Sequence, residues 1–572
     1  MSGYREAYEK WKRDFAQDAA TQAELAAIAD NEKEIEDRFY TSLSFGTAGM
    51  RGVLGAGDNR MNVYNVRKAT RALADYIRRQ EGAARRGVVI AYDSRRMSAE
   101  FSRETALVLA ANGVKAWLFP SLRPVPVLSF AVRYLGATAG VVITASHNPP
   151  QYNGYKVYWE DGAQMAPERA DEVLALMRGL DFDACLPMDE AAALAQGLLE
   201  YVQDEVDDAY IERVKTLSVR PELLREQGGS LKIVYTPLHG SGNVPVRRVL
   251  REVGVTQLLV VPEQEAPDPD FPTVRVPNPE EPDTFRLAIA LADREGADAA
   301  FATDPDCDRL GVATRGPDGK FVLLTGNQIG CLLLDYILSS RAENGTLPSN
   351  GAAVKSIVST EMARRIASAY GVEMIDTLTG FKFIAEQIQR FEQTGEKTFL
   401  FGFEESYGYL SSTFVRDKDA VNASLLVTEL ALYLKTQGKT LWDRLEALRA
   451  RYGCSVERVT SVSLPGKDGV ARMRGMMESL RREPPRRIAD LAVRAVRDYR
   501  SGLRTQDGES RPMGLPASDV LYYELEGGSW FCVRPSGTEP KIKLYVNAFA
   551  DAQPQADALA DAIGRAAQEL LA

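Results

Sequence analysis

Histidine is almost absent from this chain: among 572 residues it occurs only as His147 and His239. A Ser-His-Asp triad has just those two bases to draw on, and no GxSxG elbow surrounds Ser146, so the usual nucleophilic arrangements do not fit. Cysteine is little used as well. Cys185, Cys307, Cys331, Cys454 and Cys532 are odd in number, far apart and without a CxxC pair, which argues against a disulfide framework or a zinc cluster and predicts a reducing, cytoplasmic setting. No apolar run approaches the ~18 residues of a membrane span, and the opening MSGYREAYEKWKRDF lacks the apolar core of a signal peptide. Neither secretion nor membrane insertion is expected. Positive charge is not in excess either: the net charge of -10 argues against a nucleic-acid partner, which needs clustered cations to displace counterions. An anionic ligand would need a local basic pocket.

What is present suffices for several cores. At ~150 residues per domain the length predicts about four domains, and 45% hydrophobic composition can fill them. Tyr4, Tyr8, Trp11 and Phe15 fall at helical spacing and predict an amphipathic helix packed on the first domain. Short runs follow, alternating with longer helical patterns: VVIAY (88–92), KAWLF (115–119), GVVIT (140–144), KIVY (232–235), QLLVV (257–261), ADAAFAT (297–303), AAVKSIV (352–358) and TFLFGF (398–403). Strands separated by helices predict parallel or mixed α/β sheets.

Three of these runs leave into unusual polar loops: VVIT into ASHNPP, AAFAT into DPDCDR, and TFLFGF into EESYG. Open α/β sheets bind ligands beyond the carboxyl ends of their strands, so three such exits predict three related domains facing one cleft. Boundaries are expected near 205, near 320 at the GPDGK turn, and near 450, giving domains 1–205, 206–320, 321–450 and 451–572. The last contains WFCVRPSGTEPKIKLYV and a closing helix with Leu559, Ile563 and Leu570, and reads as a smaller α+β domain.

The strongest chemical signal is DPDCDR, with Asp304, Asp306 and Asp308 at alternate positions. Three carboxylates this close repel one another unless a cation neutralises them, and oxygen ligands suit Mg²⁺, Mn²⁺ or Ca²⁺ rather than zinc. An EF-hand is excluded by the missing sixth-position Gly and twelfth-position Glu; a solvated acidic turn is the bland alternative. Arg309 beside the loop is placed to help neutralise a phosphate.

RPSGTEPKIK (534–543) reads as a phosphate cradle, with Ser536 and Thr538 as hydroxyl donors and Arg534, Lys541 and Lys543 as charges, or as an ordinary hairpin. FGTAGMRG (45–52) offers Arg51 as an anion clamp. GFEESYGY (402–409) carries carboxylates and hydroxyls of the kind that grip sugars, or is a Glu-rich turn. In VRDKDA (415–420), Lys418 lies between two acids, as a solvated ion-pair run or a phosphate contact. His239 in TPLHGSG (236–242) reads as a turn histidine.

Together, TASHNP (144–149), DPDCDR (304–309), GFEES (402–406) and RPSGT (534–538), in this order and at these separations, resemble the four signature loops of the α-D-phosphohexomutases. The resemblance covers residues 40–545, and FGTAGMRG, NRMN, NGYKVYW, TPLHGSG, LLTGNQIG, TLTGFKFI and FVRDKDAV are similar to the phosphoglucomutase and phosphopentomutase branch. It implies an α/β enzyme of four domains around a central cleft, three of them related mixed α/β domains and the C-terminal one an α+β domain of the TATA-binding-protein-like type.

The resemblance also implies roles. Ser146 would carry the phosphoryl group. Asp304, Asp306 and Asp308, with a phosphoserine oxygen at Ser146, would bind one Mg²⁺. Arg51, His147, Lys156, Arg309 and Lys418 would share acid, base and electrostatic work. Glu404 and Ser406 would hold sugar hydroxyls, and Arg534, Ser536, Gly537, Thr538 and Lys543 the phosphate that is not reacting. The implied reaction interconverts α-D-glucose 1-phosphate and glucose 6-phosphate, with glucose 1,6-bisphosphate as intermediate and activator; the alternatives are phosphopentomutase and phosphomannomutase activity. The expected partner is a small-molecule phosphosugar, and the expected state a monomer or weak homo-oligomer. Cys307 departs from the small Ala or Gly of many relatives.

Overall fold

The computed structural model describes residues 3–43, 49–464, 468–536 and 541–571. It divides into two compact units: residues 1–324 with 385–394 and 407–437, and residues 325–384 with 395–406 and 438–572.

The first unit opens with the helix Gly3–Asp14. Tyr8, Trp11 and Phe15 are buried in a cluster with Leu25, Ile35 and Phe39, and Tyr4 packs at its margin, so the aromatic stripe is core. The polar tip of Trp11 is satisfied, because its Nε1 donates to Asp58 at 2.8 Å.

Beyond lie two sheets. The first comprises β1 (Gly49–Val53), β2 (Val88–Tyr92), β3 (Ala116–Leu118), β4 (Ala139–Ile143), β5 (Tyr152–Trp159) and β6 (Leu199–Tyr201), ordered β1-β5-β4-β2-β3-β6. β3, β2 and β4 run parallel, and β5 returns antiparallel beside β4. β2 and β4 read as nearly continuous apolar runs because successive residues, which point to opposite faces, are buried along both strands. The second sheet comprises β7 (Lys232–Thr236), β8 (Gln257–Val260), β9 (Ala299–Thr303), β10 (Leu310–Arg315) and β11 (Phe321–Leu323), ordered β11-β10-β9-β7-β8. Its β8-β7-β9 core is parallel and β10 returns antiparallel. The GPDGK turn joins β10 to β11, so this sheet continues to Leu323.

In the second unit β12 (Gly351–Ser356), β13 (Glu373–Thr377) and β14 (Thr398–Glu404) form the parallel order β13-β12-β14. The chain then re-enters the first unit at β15 (Gly408–Leu410). One pattern is thus used three times: the second strand, the first and the third lie side by side in that order. Each polar loop singled out in the sequence follows the third strand, and each contains a non-glycine residue with left-handed backbone: Ser146 at φ 53°, Cys307 at 53° and Tyr407 at 66°.

The C-terminal part of the second unit is an antiparallel sheet of β16 (Cys454–Ser463), β17 (Arg487–Ile488), β18 (Leu491–Asp498), β19 (Leu503–Gln506), β20 (Glu509–Pro512), β21 (Leu521–Leu525), β22 (Trp530–Pro535) and β23 (Lys541–Ala550). The order is β16-β23-β22-β21-β18-β19-β20, with β17 paired to β18. Phe531 and Val533 face the helices Gly469–Arg482 and Gln553–Glu569, while Trp530 and Cys532 join a second cluster with Ile357 and Leu378, as strand alternation requires. In the closing helix Ile563 is buried and Leu559 partly so. Leu570 is 38% exposed and Leu571 takes the core position instead, because the helix ends at Glu569.

Candidate active site

Within the first unit the loops after β4 and β9 meet. Ser146 is 3% exposed; its Oγ donates to Asp304 Oδ2 at 2.8 Å and lies 3.0 Å from His147 Nδ1. The two side chains come together because β4 delivers Ser146 and β9 delivers Asp304, each just past the carboxyl end of its strand. β5 returns Lys156, whose Nζ lies 2.8 Å from Asp306 Oδ2 and 3.9 Å from Asp308 Oδ2. Arg51 on β1 donates to Asn148 Oδ1 at 3.1 Å. Lys418 bridges Asp308 at 3.1 Å and Asp417 at 3.0 Å and is 8% exposed; the solvated ion-pair reading of VRDKDA is therefore set aside.

Asp304, Asp306 and Asp308 are at most 2% exposed, which removes the solvated acidic turn. One oxygen from each lies within 4.8 Å of the others. Asp304 Oδ1 accepts from the backbone N–H groups of Asp308 and Arg309, at 3.1 and 3.0 Å. Asp306 Oδ1 and Asp308 Oδ1, though buried, accept no hydrogen bond. Buried carboxylate oxygens without donors are costly unless a cation takes them. An all-oxygen donor set free of His and Cys suits a hard divalent ion such as Mg²⁺.

The electrostatics agree. Burial and the charges of Asp306 and Asp308 hold Asp304 well above the ordinary carboxylate range. Burial opposes ionisation of Asp308 too, but Lys418, Lys156 and Arg309 outweigh it and hold that carboxyl well below the range. Burial, Arg309 and Arg51 keep His147 far below the usual histidine value, so it is a neutral base at pH 7. Arg309 pairs with Glu280.

The second unit carries the other two loops. Glu404 is 5% exposed, and its Oε1 accepts from Gly380 N at 2.7 Å, so the TLTGFKFI stretch orients it. Ser406 is half-buried. Glu405 turns the other way: its Oε2 accepts from Ser356 and Ser359 hydroxyls at 2.9 and 3.3 Å. RPSGTEPK joins β22 to β23, with Ser536 N donating to Lys541 O at 2.8 Å. The loop is a hairpin connection whose described ends are cationic, since Arg534 sits directly opposite Lys543. Gly537 and Thr538 lie outside the described residues.

Sequence reasoning missed several participants. Asp93 and Arg95, at the exit of β2, are buried against the Ser146 loop. Asp417 anchors Lys418, and Glu280 anchors Arg309. The available signal was position: β2 neighbours β4 in the sheet, so polar residues ending β2 must face the loop that ends β4. His239 is a structural histidine, with Nδ1 3.0 Å from Ala266 O and Nε2 3.1 Å from Thr273 Oγ1. Cys307 is fully buried, and burial beside Asp304 pushes its thiol well up, which leaves it unreactive. No helix among the described residues is long and apolar enough to cross a membrane.

The comparisons with known proteins agree with this geometry. Four models of the phosphoglucomutase/phosphomannomutase family match in order: alpha/beta/alpha domain I at 42–184, domain II at 208–319, domain III at 325–452, and the C-terminal domain at 481–565. A phosphoglucomutase of Staphylococcus epidermidis is 38% identical over 522 residues, 91% of this chain and 93% of that one. A phosphoglucomutase of Staphylococcus aureus is 36% identical over 526 residues, with 91% and 92% covered. Among solved structures, a Thermus thermophilus protein described as a phosphomannomutase aligns with a TM-score of 0.68 at 26% identity, over 93% of this chain and 99% of that one. With a serine held against the first of three buried aspartates at the strand ends where those domain models match, the chain belongs to the phosphoglucomutase/phosphomannomutase family, the α-D-phosphohexomutases.

Proposed function

We propose that the protein is a phosphoglucomutase that interconverts α-D-glucose 1-phosphate and glucose 6-phosphate, with Ser146 as phosphoryl carrier and glucose 1,6-bisphosphate as intermediate and activator. The observation that carries this reading is the 2.8 Å contact between Ser146 Oγ and Asp304, beside two carboxylate oxygens without donors. The sugar is chosen on the phosphoglucomutase relatives.

Asp304, Asp306 and Asp308, with an oxygen of the serine phosphate, would hold Mg²⁺, which supplies positive charge to the phosphoryl group when bound. The chain's own residues do the rest. Phosphoryl transfer spreads charge over the equatorial oxygens, so positioning and fixed cations contribute most of the rate; Arg51, Lys156, Arg309 and Lys418 supply those cations. Phosphoserine 146 gives its phosphoryl group to the free sugar hydroxyl, whose proton passes to a neutral base, the role His147 fits. The bisphosphate turns over and the serine oxygen takes the second phosphoryl group, which releases the isomer. Glu404 and Ser406 hold sugar hydroxyls in both orientations, while Arg534, Ser536, Gly537, Thr538 and Lys543 hold the phosphate at rest.

Parallel turnover on glucose 1-phosphate, ribose 1-phosphate and mannose 1-phosphate, with Mg²⁺ and catalytic glucose 1,6-bisphosphate, tests the reading. Fastest turnover on glucose 1-phosphate is expected; preference for either other sugar would reassign the enzyme as a phosphopentomutase or a phosphomannomutase. Stoichiometric release of inorganic phosphate would instead mark a phosphatase.

A further inference from the structure

The serine loop is held in an unfavourable backbone conformation by one arginine. Ser146 has φ 53°, a left-handed region that is unfavourable for a residue with a side chain and persists only where its surroundings impose it. Those surroundings are the side chain of Arg95, which has no exposed surface. Its Nη2 donates to Ser146 O at 2.6 Å and also to Asn148 O, and its Nη1 donates to Pro149 O at 2.9 Å and Tyr152 O at 3.1 Å. Nε lies 3.4 Å from Asp93 Oδ2. Asp93 Oδ2 in turn accepts from Thr144 Oγ1 at 2.6 Å, and Thr144 Oγ1 accepts from Ser146 N at 2.8 Å. Both sides of the Ser146 backbone are therefore tied, carbonyl and amide, to residues at the exit of β2. The guanidinium carbon also lies over the Phe271 ring, 5.0 Å from its centroid, so an aromatic face packs against the group.

We propose that Arg95 is a positioning residue for phosphoryl transfer, gathering four carbonyls of residues 146–152 so that the Ser146 hydroxyl stays aimed at Asp304. The inference rests on the proposed role of Ser146. A guanidinium suits the task because five N–H groups diverge in one plane; a lysine places three donors on one point and cannot span four carbonyls. The same device recurs in the other two repeats. Ser241, at the exit of β7, donates from both N and Oγ to Pro305 O at 2.8 Å, and Ser356 and Ser359, at the exit of β12, hold Glu405. In each repeat the first strand's exit holds the third strand's exit, because the two strands are parallel neighbours.

Full-length Arg95→Lys keeps the charge and loses the fork. After mixing with glucose 1,6-bisphosphate and Mg²⁺, intact mass should show close to wild-type phosphorylation stoichiometry, reached roughly ten- to a hundredfold more slowly. Without ligand, amide hydrogen exchange should rise in 144–152 and stay unchanged in β2 and β4. A phosphorylation rate within twofold of wild type, unchanged exchange in the loop, or a lower stoichiometry reached at the wild-type rate would each overturn the proposal, the last because it marks a misfolded fraction. Should Arg95→Lys fail to fold, Asp93→Asn is measured against the same criteria. Ser146→Ala separates the two ideas: continued uptake of phosphate there defeats the carrier role itself, whatever Arg95 does.

Discussion

Two side chains carry most of the chemistry proposed here, and each can be removed with little expected damage to the fold. Ser146→Ala loses one hydroxyl that donates to Asp304, a change worth only ~1 kcal/mol of stability, yet mutase turnover should fall to background while the melting temperature shifts by a few degrees at most. Asp306→Asn withdraws one charge from an oxygen-only metal set. Added Mg²⁺ should raise the melting temperature of the wild type by mass action and that of Asp306→Asn much less; thermal scans with and without chelator read the difference. Asp306 stood out in the sequence because three alternating aspartates are unusual at a strand exit, whereas Ser146, an ordinary residue type there, was singled out only by the family resemblance. Arg95 and Asp93 were not. Nothing local distinguishes YDSRRM from a surface turn, and the importance of these residues depends on which strand lies beside β2, a fact of sheet order rather than of spacing.

Elements place these residues, and their ends have energetics of their own. Asp419 caps the helix Ala420–Lys435: its Oδ1 accepts from Asn422 N and from Tyr210 OH, both at 2.9 Å. Burial, opposed by those hydrogen bonds, pushes its carboxyl up to about 6. The folded state thus keeps a proton that the unfolded chain gives up near pH 4, so this group's contribution is most favourable below that pH. Stability is lost as the pH rises from about 4 to about 6, by ~3 kcal/mol in all. Asp419→Asn retains an acceptor oxygen and has no such window: its melting temperature should match the wild type near pH 4 and exceed it increasingly up to pH 6, then in parallel above. The alternating strands and helices were readable from apolar runs, as were the three polar exits. The closing helix was misread by one residue at its end, where Leu571 rather than Leu570 is buried, because the periodicity stops where the helix does. The RPSGT stretch shows a different limit: the residue types that would cradle a phosphate are also those that suit a connection between paired strands such as β22 and β23, so no sequence argument could choose between the two readings.

At the scale of the whole molecule, the proposed reaction requires an intermediate with two phosphates to turn over without escaping. Arg534 and Lys543 stand directly opposite across β22 and β23, which puts two cations beside the stretch proposed to hold the resting phosphate. Arg534→Ala should remove a charge-assisted contact of about 1.5–3 kcal/mol, slowing turnover roughly ten- to a hundredfold and raising the glucose 1,6-bisphosphate needed for half-maximal rate; a titration of that activator measures both. The threefold use of one strand order has a consequence for inheritance. Because the loops after β4, β9 and β14 are each braced from the neighbouring strand's exit, the heritable unit in these repeats is a pair of strand exits, not a loop. Gly240 makes the point physically, since a Cβ there would lie 2.4 Å from Pro305 Cα: brace and loop are shaped to each other. A metal loop grafted alone onto another member of the family would arrive without its mould, whereas 236–242 and 304–309 moved together would carry the shape with them.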